Sequence, residues 1–592
     1  MTRFFVLCGL VLPLLAVAGP DPSPAPPPPA PPPTRPAPHA PPGPPPAPPS
    51  TGKELRKPPP GLPPQPATMA AVARELVKKN DCKGHVHELS GALSYAAYLL
   101  KPDEEVAGYQ LLQRCAYSEK AWRAVLQATS RLLTLAPDKS RPYDVVEALL
   151  GMDMQDQAQA AFDRLEKEFP KQHDDLTLAR TLLACHGRTY SKCHAVAGDM
   201  LKELKKSATP SPDALLKNTI FHGVSAAALG KWAEYDADMR TADKMIAAEK
   251  KDPSKLAALK AALEPTRGSK LYIEADVVKQ LPIGTYQYMA NPALKEAGDL
   301  VTLRLINHQP KARTVKITLE VPGVTETTTV SVSLPPGEQL TRALTPPLKM
   351  DFDVAKLRAS RVGQIALKIT DDKGASVYEQ SYPLEVLPRD HLPLWRYIGA
   401  DSDRQTFANA LAWITPNAPE VDAFLAKAKA RLDKHVFAGE QRETLSQVKA
   451  LFDELKERGV SYVMDPAVFA ERVAVQRTRL PVEVLASTNA QCLEGTLLYA
   501  TLMEAIGLQP ELVFIPGHAF VAWKPSQYDK DKAPLYFLET TLTGGPATFE
   551  QAVERATKHY QDEKAARHFD IGVSALVDVH ALRAKGYTPQ PY

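Results

Sequence analysis

The chain has 592 residues, room for several domains at roughly 150 residues each. Hydrophobic residues make up 44% and charged residues 23%, which excludes a collagen-like or wholly disordered chain. A formal net charge of +3 leaves no electrostatic footprint for nucleic acid.

The chain opens Met1-Thr2-Arg3, followed by an apolar run from Phe4 to Val17 and the small-residue site Ala16-Val17-Ala18. That order reads as a secretory signal peptide over residues 1–18. The run is shorter than the ~20 residues a membrane span needs. After cleavage no second stretch is apolar and long enough to cross a bilayer. The expectation is an exported protein of the periplasm, the cell envelope or the medium.

Residues 19–67 are dominated by Pro and Ala. Such a segment cannot bury a core and favours extended polyproline II, so it reads as a semi-rigid linker.

Residues 68–266 show apolar positions at three- and four-residue spacing. Tyr143 to Gly151 followed by Gln155 to Pro170 reads as two helices joined by a short turn. The pair looks like a degenerate tetratricopeptide unit, so the region is expected to be an α-solenoid. A concave helical stack of this kind implies a protein partner held on the repeats.

Export permits disulfides. Removing residues 1–18 leaves Cys82, Cys115, Cys185, Cys193 and Cys492. Cys185-His186 and Cys193-His194 contain a zinc ligand set, but adjacent Cys-His pairs point in different directions on a helix. Bridges Cys185–Cys193 and Cys82–Cys115 are expected instead, with no metal and no cofactor.

Residues 267–390 change to a period of two. Asp299–Asn307, Thr314–Val321, Thr327–Leu334 and Gln364–Thr370 alternate apolar and polar side chains, and Pro335-Pro336-Gly337 supplies a turn. The spacing predicts an antiparallel β-sandwich of immunoglobulin-like type.

Residues 391–592 return to helices and then strands, with amphipathic spacing over Val421–Leu432 and Glu443–Leu455. Cys492 heads a helix that is apolar nearly all round and ends at Gly507 and Pro510. A helix N-terminus favours negative charge, and hence a thiolate. Glu511–Ile515, Gly517–Trp523 and Leu535–Thr541 read as three strands, the second carrying His518 near its start and the third ending in Glu539. A nucleophile, a base and an orienting carboxylate in this order point to a Cys492, His518, Glu539 triad.

Cys492 to Gly507, Pro516-Gly-His-Ala-Phe520 and Leu538-Glu-Thr-Thr541 together resemble the transglutaminase-like superfamily, which shares the papain-type fold. The likeness is to a bacterial branch in which an immunoglobulin-like sandwich precedes the core. Tyr462–Pro466 and Gln476–Leu485 resemble that branch as well. Ala490 and Glu494 stand where the family pattern has Gly and Asp, and Glu539 stands where many relatives have Asp.

The resemblance implies an oxyanion hole formed by the Gln476 side chain and the Cys492 backbone N–H, with Gln491 as a rival for the side-chain role. It also implies an exported cysteine enzyme acting on peptide or glutamine-type amide bonds, as peptidase, amidase or transglutaminase. Its substrate would be a protein or peptide. The alternative is a catalytically inactive envelope scaffold that binds proteins through the helical repeats.

Overall fold

The computed structural model describes residues 66–590 apart from 138–140, 153, 171–172, 208, 295–297, 399–401, 464–474, 516, 527, 529–533, 566–567 and 570–573. The expected signal peptide over 1–18 and nearly all of the linker over 19–67 lie outside the described residues, as do Met464 to Pro466 and Pro516 of the motifs.

A helical region comes first. Its helices are α1 (Pro66–Lys79), α2 (Val86–Ala96), α3 (Pro102–Glu119), α4 (Trp122–Leu135), α5 (Pro142–Gly151), α6 (Gln155–Glu168), α7 (His173–His186), α8 (Tyr190–Leu204), α9 (Pro212–Ala228), α10 (Trp232–Ala248) and α11 (Ser254–Leu263). Local signals set several of the starts. Pro142 and Pro212 open their helices, where a missing N–H costs nothing, and the Ser211 hydroxyl caps α9 by accepting from the Ala214 N–H at 3.3 Å. From α1 to α10 each helix packs on its successor, α5 also meets α7, and α7 also meets α9. One continuous apolar cluster results. Disulfides Cys82–Cys115 and Cys185–Cys193 are both formed, and Cys492 is a free, buried thiol.

Two sheets follow. Their strands are β1 (Leu271–Val277), β2 (Gln280–Pro282), β3 (Val301–Asn307), β4 (Arg313–Glu320), β5 (Thr328–Leu334), β6 (Gln339–Leu344), β7 (Arg361–Asp371) and β8 (Ser376–Leu387), with a helical turn α12 (Tyr286–Met289) after β2. One sheet has the order β1-β3-β6 and the other β2-β8-β7-β4-β5. Alternation sends Val315, Ile317 and Leu319 of β4 inward, and Ile365, Leu367 and Ile369 of β7 join them. Ala275, Leu303 and Leu305 of the first sheet complete that cluster.

The helical region is tied to the first sheet by charge. Arg188 Nη1 lies 2.5 Å from Glu274 and 2.7 Å from Asp276, and Arg304 reaches Asp276 at 2.5 Å. These carboxylates are almost fully buried, so the ion pairs hold the two regions in one relative position.

The remaining elements build the third region. They are β9 (His391–Pro393), β10 (Trp395–Ile398), β11 (Ser402–Gln405), α13 (Pro419–Ala428), α14 (Leu445–Glu457), β12 (Ser461–Tyr462), β13 (Val475–Arg477), α15 (Pro481–Ser487), β14 (Asn489–Ala490), α16 (Cys492–Ala505), β15 (Pro510–Ile515), β16 (His518–Trp523), β17 (Tyr536–Leu538), α17 (Phe549–Ala565), β18 (Ala575–Asp578) and α18 (Val579–Ala584). An antiparallel sheet of order β17-β16-β15-β18 forms its centre. Leu512, Phe514, Val521 and Leu538 share a cluster with Leu493, Leu497 and Ala500 of α16. The alternate residues Val513, Phe520, Ala522 and Phe537 form a separate cluster with Ala556 of α17. The sheet therefore lies between α16 and α17, and among the described residues no helix is long and apolar enough to cross a membrane.

Candidate active site

Cys492 is the first residue of α16. The backbone approaches it through Thr488, which ends α15 in the left-handed region at φ 53°. A β-branched residue is strained there by roughly 1–3 kcal/mol. The turn sends Asn489 and Ala490 into a parallel pairing with Ser461 and Tyr462. The helix start is then locked by Glu494. Its carboxylate accepts from the Gln491 N–H at 3.1 Å, closing the first turn. It also accepts from the Arg479 N–H at 2.8 Å and from the Arg479 guanidinium at 2.6 and 2.9 Å. Glu494 thus fastens the segment after β13 to the turn carrying Cys492.

His518 begins β16, and Glu539 directly follows β17. The expected third strand runs to Thr541, but the chain turns at Glu539 instead, and its carboxylate caps the turn Thr540–Leu542. The two strands are paired, with Val521 opposite Leu538. Alternation puts His518 with Phe520 and Glu539 with Phe537 on the α17 side of the sheet. His518 Nε2 lies 2.8 Å from Glu539 Oε2. Cys492 stands beside the same ring and helps to favour its charged form. With Nε2 on the carboxylate, Nδ1 is the ring nitrogen left for the sulfur.

Both carboxylate oxygens of Glu539 are held. Oε1 accepts from the Thr541 hydroxyl at 2.7 Å and from the Thr541 N–H at 3.3 Å. Oε2 faces His518 and also His559 Nδ1 at 3.5 Å. His559 comes from α17, and its ring stands edge-on to that of His518 at 6.0 Å between centroids. Nothing around His559 in the sequence marks it, because its partner lies in another element.

The electrostatics follow from burial and pairing. Burial alone would disfavour a charged His518. The Glu539 carboxylate and the neighbouring Cys492 outweigh it, and the pKa is raised to about 10. Burial would likewise disfavour a charged Glu539, but His518 and then His559 hold it well below the usual carboxylate range. The phenol of Tyr462 is pushed up to about 12 by burial and by the neighbouring Cys492 and Glu539, which puts Tyr462 at the same site.

Gln476 is buried on β13, which pairs with β9. Its side-chain amide donates to Gln491 Oε1 at 2.5 Å, and the Gln491 amide donates to the Arg477 carbonyl at 2.8 Å. Both side-chain amides therefore belong to one chain of hydrogen bonds beside Cys492. Each amide nitrogen carries a second N–H beyond the one used here. On the other side of Cys492, α16 meets Thr540 closely. A Cβ on Gly495 would lie 3.0 Å from Thr540 Oγ1, so glycine allows this approach. A small cavity lined by Tyr462, Ala490, Gln491, Gly495, Thr540 and Thr541 adjoins the site, although Cys492 itself is not in its wall.

A buried thiol, an imidazole and a carboxylate in series can pass one proton to and from a sulfur nucleophile. Compared with family models, with curated proteins and with solved structures, the chain finds no match in any of the three.

Proposed function

We propose that the chain is an exported cysteine enzyme acting on peptide or glutamine-type amide bonds, with Cys492 as nucleophile, His518 as proton carrier and Glu539 as the group that orients it. The observation that carries this reading is the position of His518, which is bonded to Glu539 through Nε2 at 2.8 Å and has Cys492 as a neighbour that favours its charged form. In this reading the third region is a papain-like domain of transglutaminase-like type. The two-sheet region before it is an immunoglobulin-like sandwich, and the helical region is a tetratricopeptide-like solenoid that holds a protein partner. Residues 1–18 are removed on export, so the mature chain in the envelope or medium would begin at Gly19 by intact mass.

The Cys492 sulfur attacks the amide carbonyl carbon, forming a C–S bond. The oxyanion is met by the Cys492 N–H and a side-chain amide from the Gln476–Gln491 pair. His518 gives its proton to the departing nitrogen as the C–N bond breaks. Water or an amine then attacks the thioester, His518 takes that proton, and the sulfur leaves. Water gives hydrolysis, and an amine gives transamidation.

The test is incubation with glutamine-containing peptides, with and without a fluorescent primary amine, followed by intact-mass analysis. The expected result is ammonia or amine release and a hydroxylamine-labile adduct on Cys492, both absent in Cys492→Ala. One observation favours the alternative of an inactive scaffold, since Cys492 is only 7% exposed. Under that alternative the adduct never forms with any peptide, while the helical region still captures a partner.

A further inference from the structure

The helical region carries a second group of chemically competent side chains, far in sequence from the proposed triad. His194 lies near the start of α8, His222 in the second half of α9, and Glu234 in the first turn of α10. One ligand atom from each lies within 4.8 Å of the others. His194 Nε2 is 2.9 Å from Glu234 Oε2, and His222 Nε2 is 3.9 Å from the same oxygen. The two imidazoles are stacked, with centroids 4.2 Å apart and planes 27° from parallel.

We propose that His194, His222 and Glu234 bind a divalent transition-metal ion that pins α8, α9 and α10 together. Two imidazoles and a carboxylate suit zinc and its neighbours rather than calcium or magnesium, which prefer oxygen alone. The carboxylate of Asp238 strengthens the assignment. Its Oδ2 is 2.6 Å from His222 Nδ1, so it fixes the tautomer and leaves the Nε2 lone pair facing the cluster. That is the carboxylate–histidine arrangement which orients metal ligands. Gly198, one turn after His194, keeps the site open. A Cβ there would stand 3.3 Å from His222 Nε2 and Cδ2. The second oxygen of Glu234 lies 3.6 Å from Lys231 Nζ, which leaves Oε2 for the ion. Glu234 is half-exposed, so water can complete a tetrahedral shell.

The sequence expectation of no metal rested on Cys185 and Cys193, whose sulfurs are joined in a disulfide. The site proposed here uses neither. Its residues come from three separate helices, so no spacing rule reaches it. The ion would brace the end of the helical region that meets the first sheet, where Arg188 and Tyr190 bond Glu274.

The test is calorimetric titration of the mature, chelator-treated chain with zinc alone, paired with thermal melting. One zinc should bind per chain and raise the melting temperature. His222→Gln should abolish that binding. Asp238→Asn, a gentler change that keeps both ligands, should weaken it by about tenfold or more. The second constellation of this kind, His518, Glu539 and His559, supplies the control, since His518→Gln should leave zinc binding intact. No saturable binding to the wild-type chain would overturn the proposal. So would binding that survives His222→Gln and disappears in His518→Gln, because the ion would then sit at the proposed triad.

Discussion

His518 Nε2 and Glu539 Oε2 are 2.8 Å apart, with the imidazole 16% and the carboxylate 4% exposed. Each partner stabilises the charged form of the other against the burial that opposes both. His518, raised to about 10, contributes stability that is complete below its ordinary value of 6.5 and lost as pH rises through about 10. Glu539, lowered from 4.5, contributes stability that is present above 4.5 and lost as pH falls through its depressed value. The pair is fully formed between those two ordinary values.

Glu539→Gln should therefore destabilise the chain most between pH 4.5 and 6.5, and the gap to wild type should narrow toward pH 10. Chemical denaturation across that range measures it. In the same variant, the alkaline limb of the activity profile should move to lower pH, because the charge that holds the proton on His518 is gone.

Glu494 is almost fully buried and takes hydrogen bonds from Arg479 and the Gln491 N–H. Glu494→Ala leaves the guanidinium of Arg479 without this partner and opens the first turn before Cys492. The expected cost is about 3 kcal/mol by denaturant unfolding, with slower alkylation of Cys492 in the folded chain.

Gln476→Ala should lower kcat by about a hundredfold with little change in KM, because an oxyanion donor acts on the transition state and not on the bound substrate. If Gln491 is the donor, Gln491→Ala shows the larger fall of the two. Steady-state kinetics on the two single variants decides between them.

Thr488→Gly should raise stability by about 1 kcal/mol, because glycine accepts φ 53° without the clash a β-branched residue meets. The gain is read from the denaturation midpoint. Loosening of the turn should at the same time reduce turnover, since the strained residue aims the segment that carries Cys492.

Much of this architecture was readable along the chain because it rests on local periodicity. The three-and-four spacing before Pro265 marked the helices, and the period of two in Thr314–Val321 marked a strand found at Arg313–Glu320. The order Cys492, His518, Glu539 was readable too, since each residue sits at the end of its own apolar element. The missing parts depend on tertiary contact. His559 meets Glu539 only because α17 crosses the sheet. Glu494 is held by Arg479 from the segment before α15, a contact that the residues around Cys492 do not announce. The third strand stops early because Thr541 bonds Glu539 locally and bends the chain. His194 was read beside its neighbour Cys193, whereas its structural partners are Glu234 and His222.

The central claim is that His518 activates Cys492. Its most direct measurement is the rate at which iodoacetamide alkylates Cys492 in the folded, non-reduced chain, followed by peptide mass, in wild type and in His518→Ala. The four bridged cysteines do not react, so among the described residues the label reports Cys492 alone. The predicted result is rapid labelling of Cys492 in wild type and a fall of about a hundredfold in the variant. Equal rates in the two proteins, or a wild-type thiol that reacts only after unfolding, would contradict it.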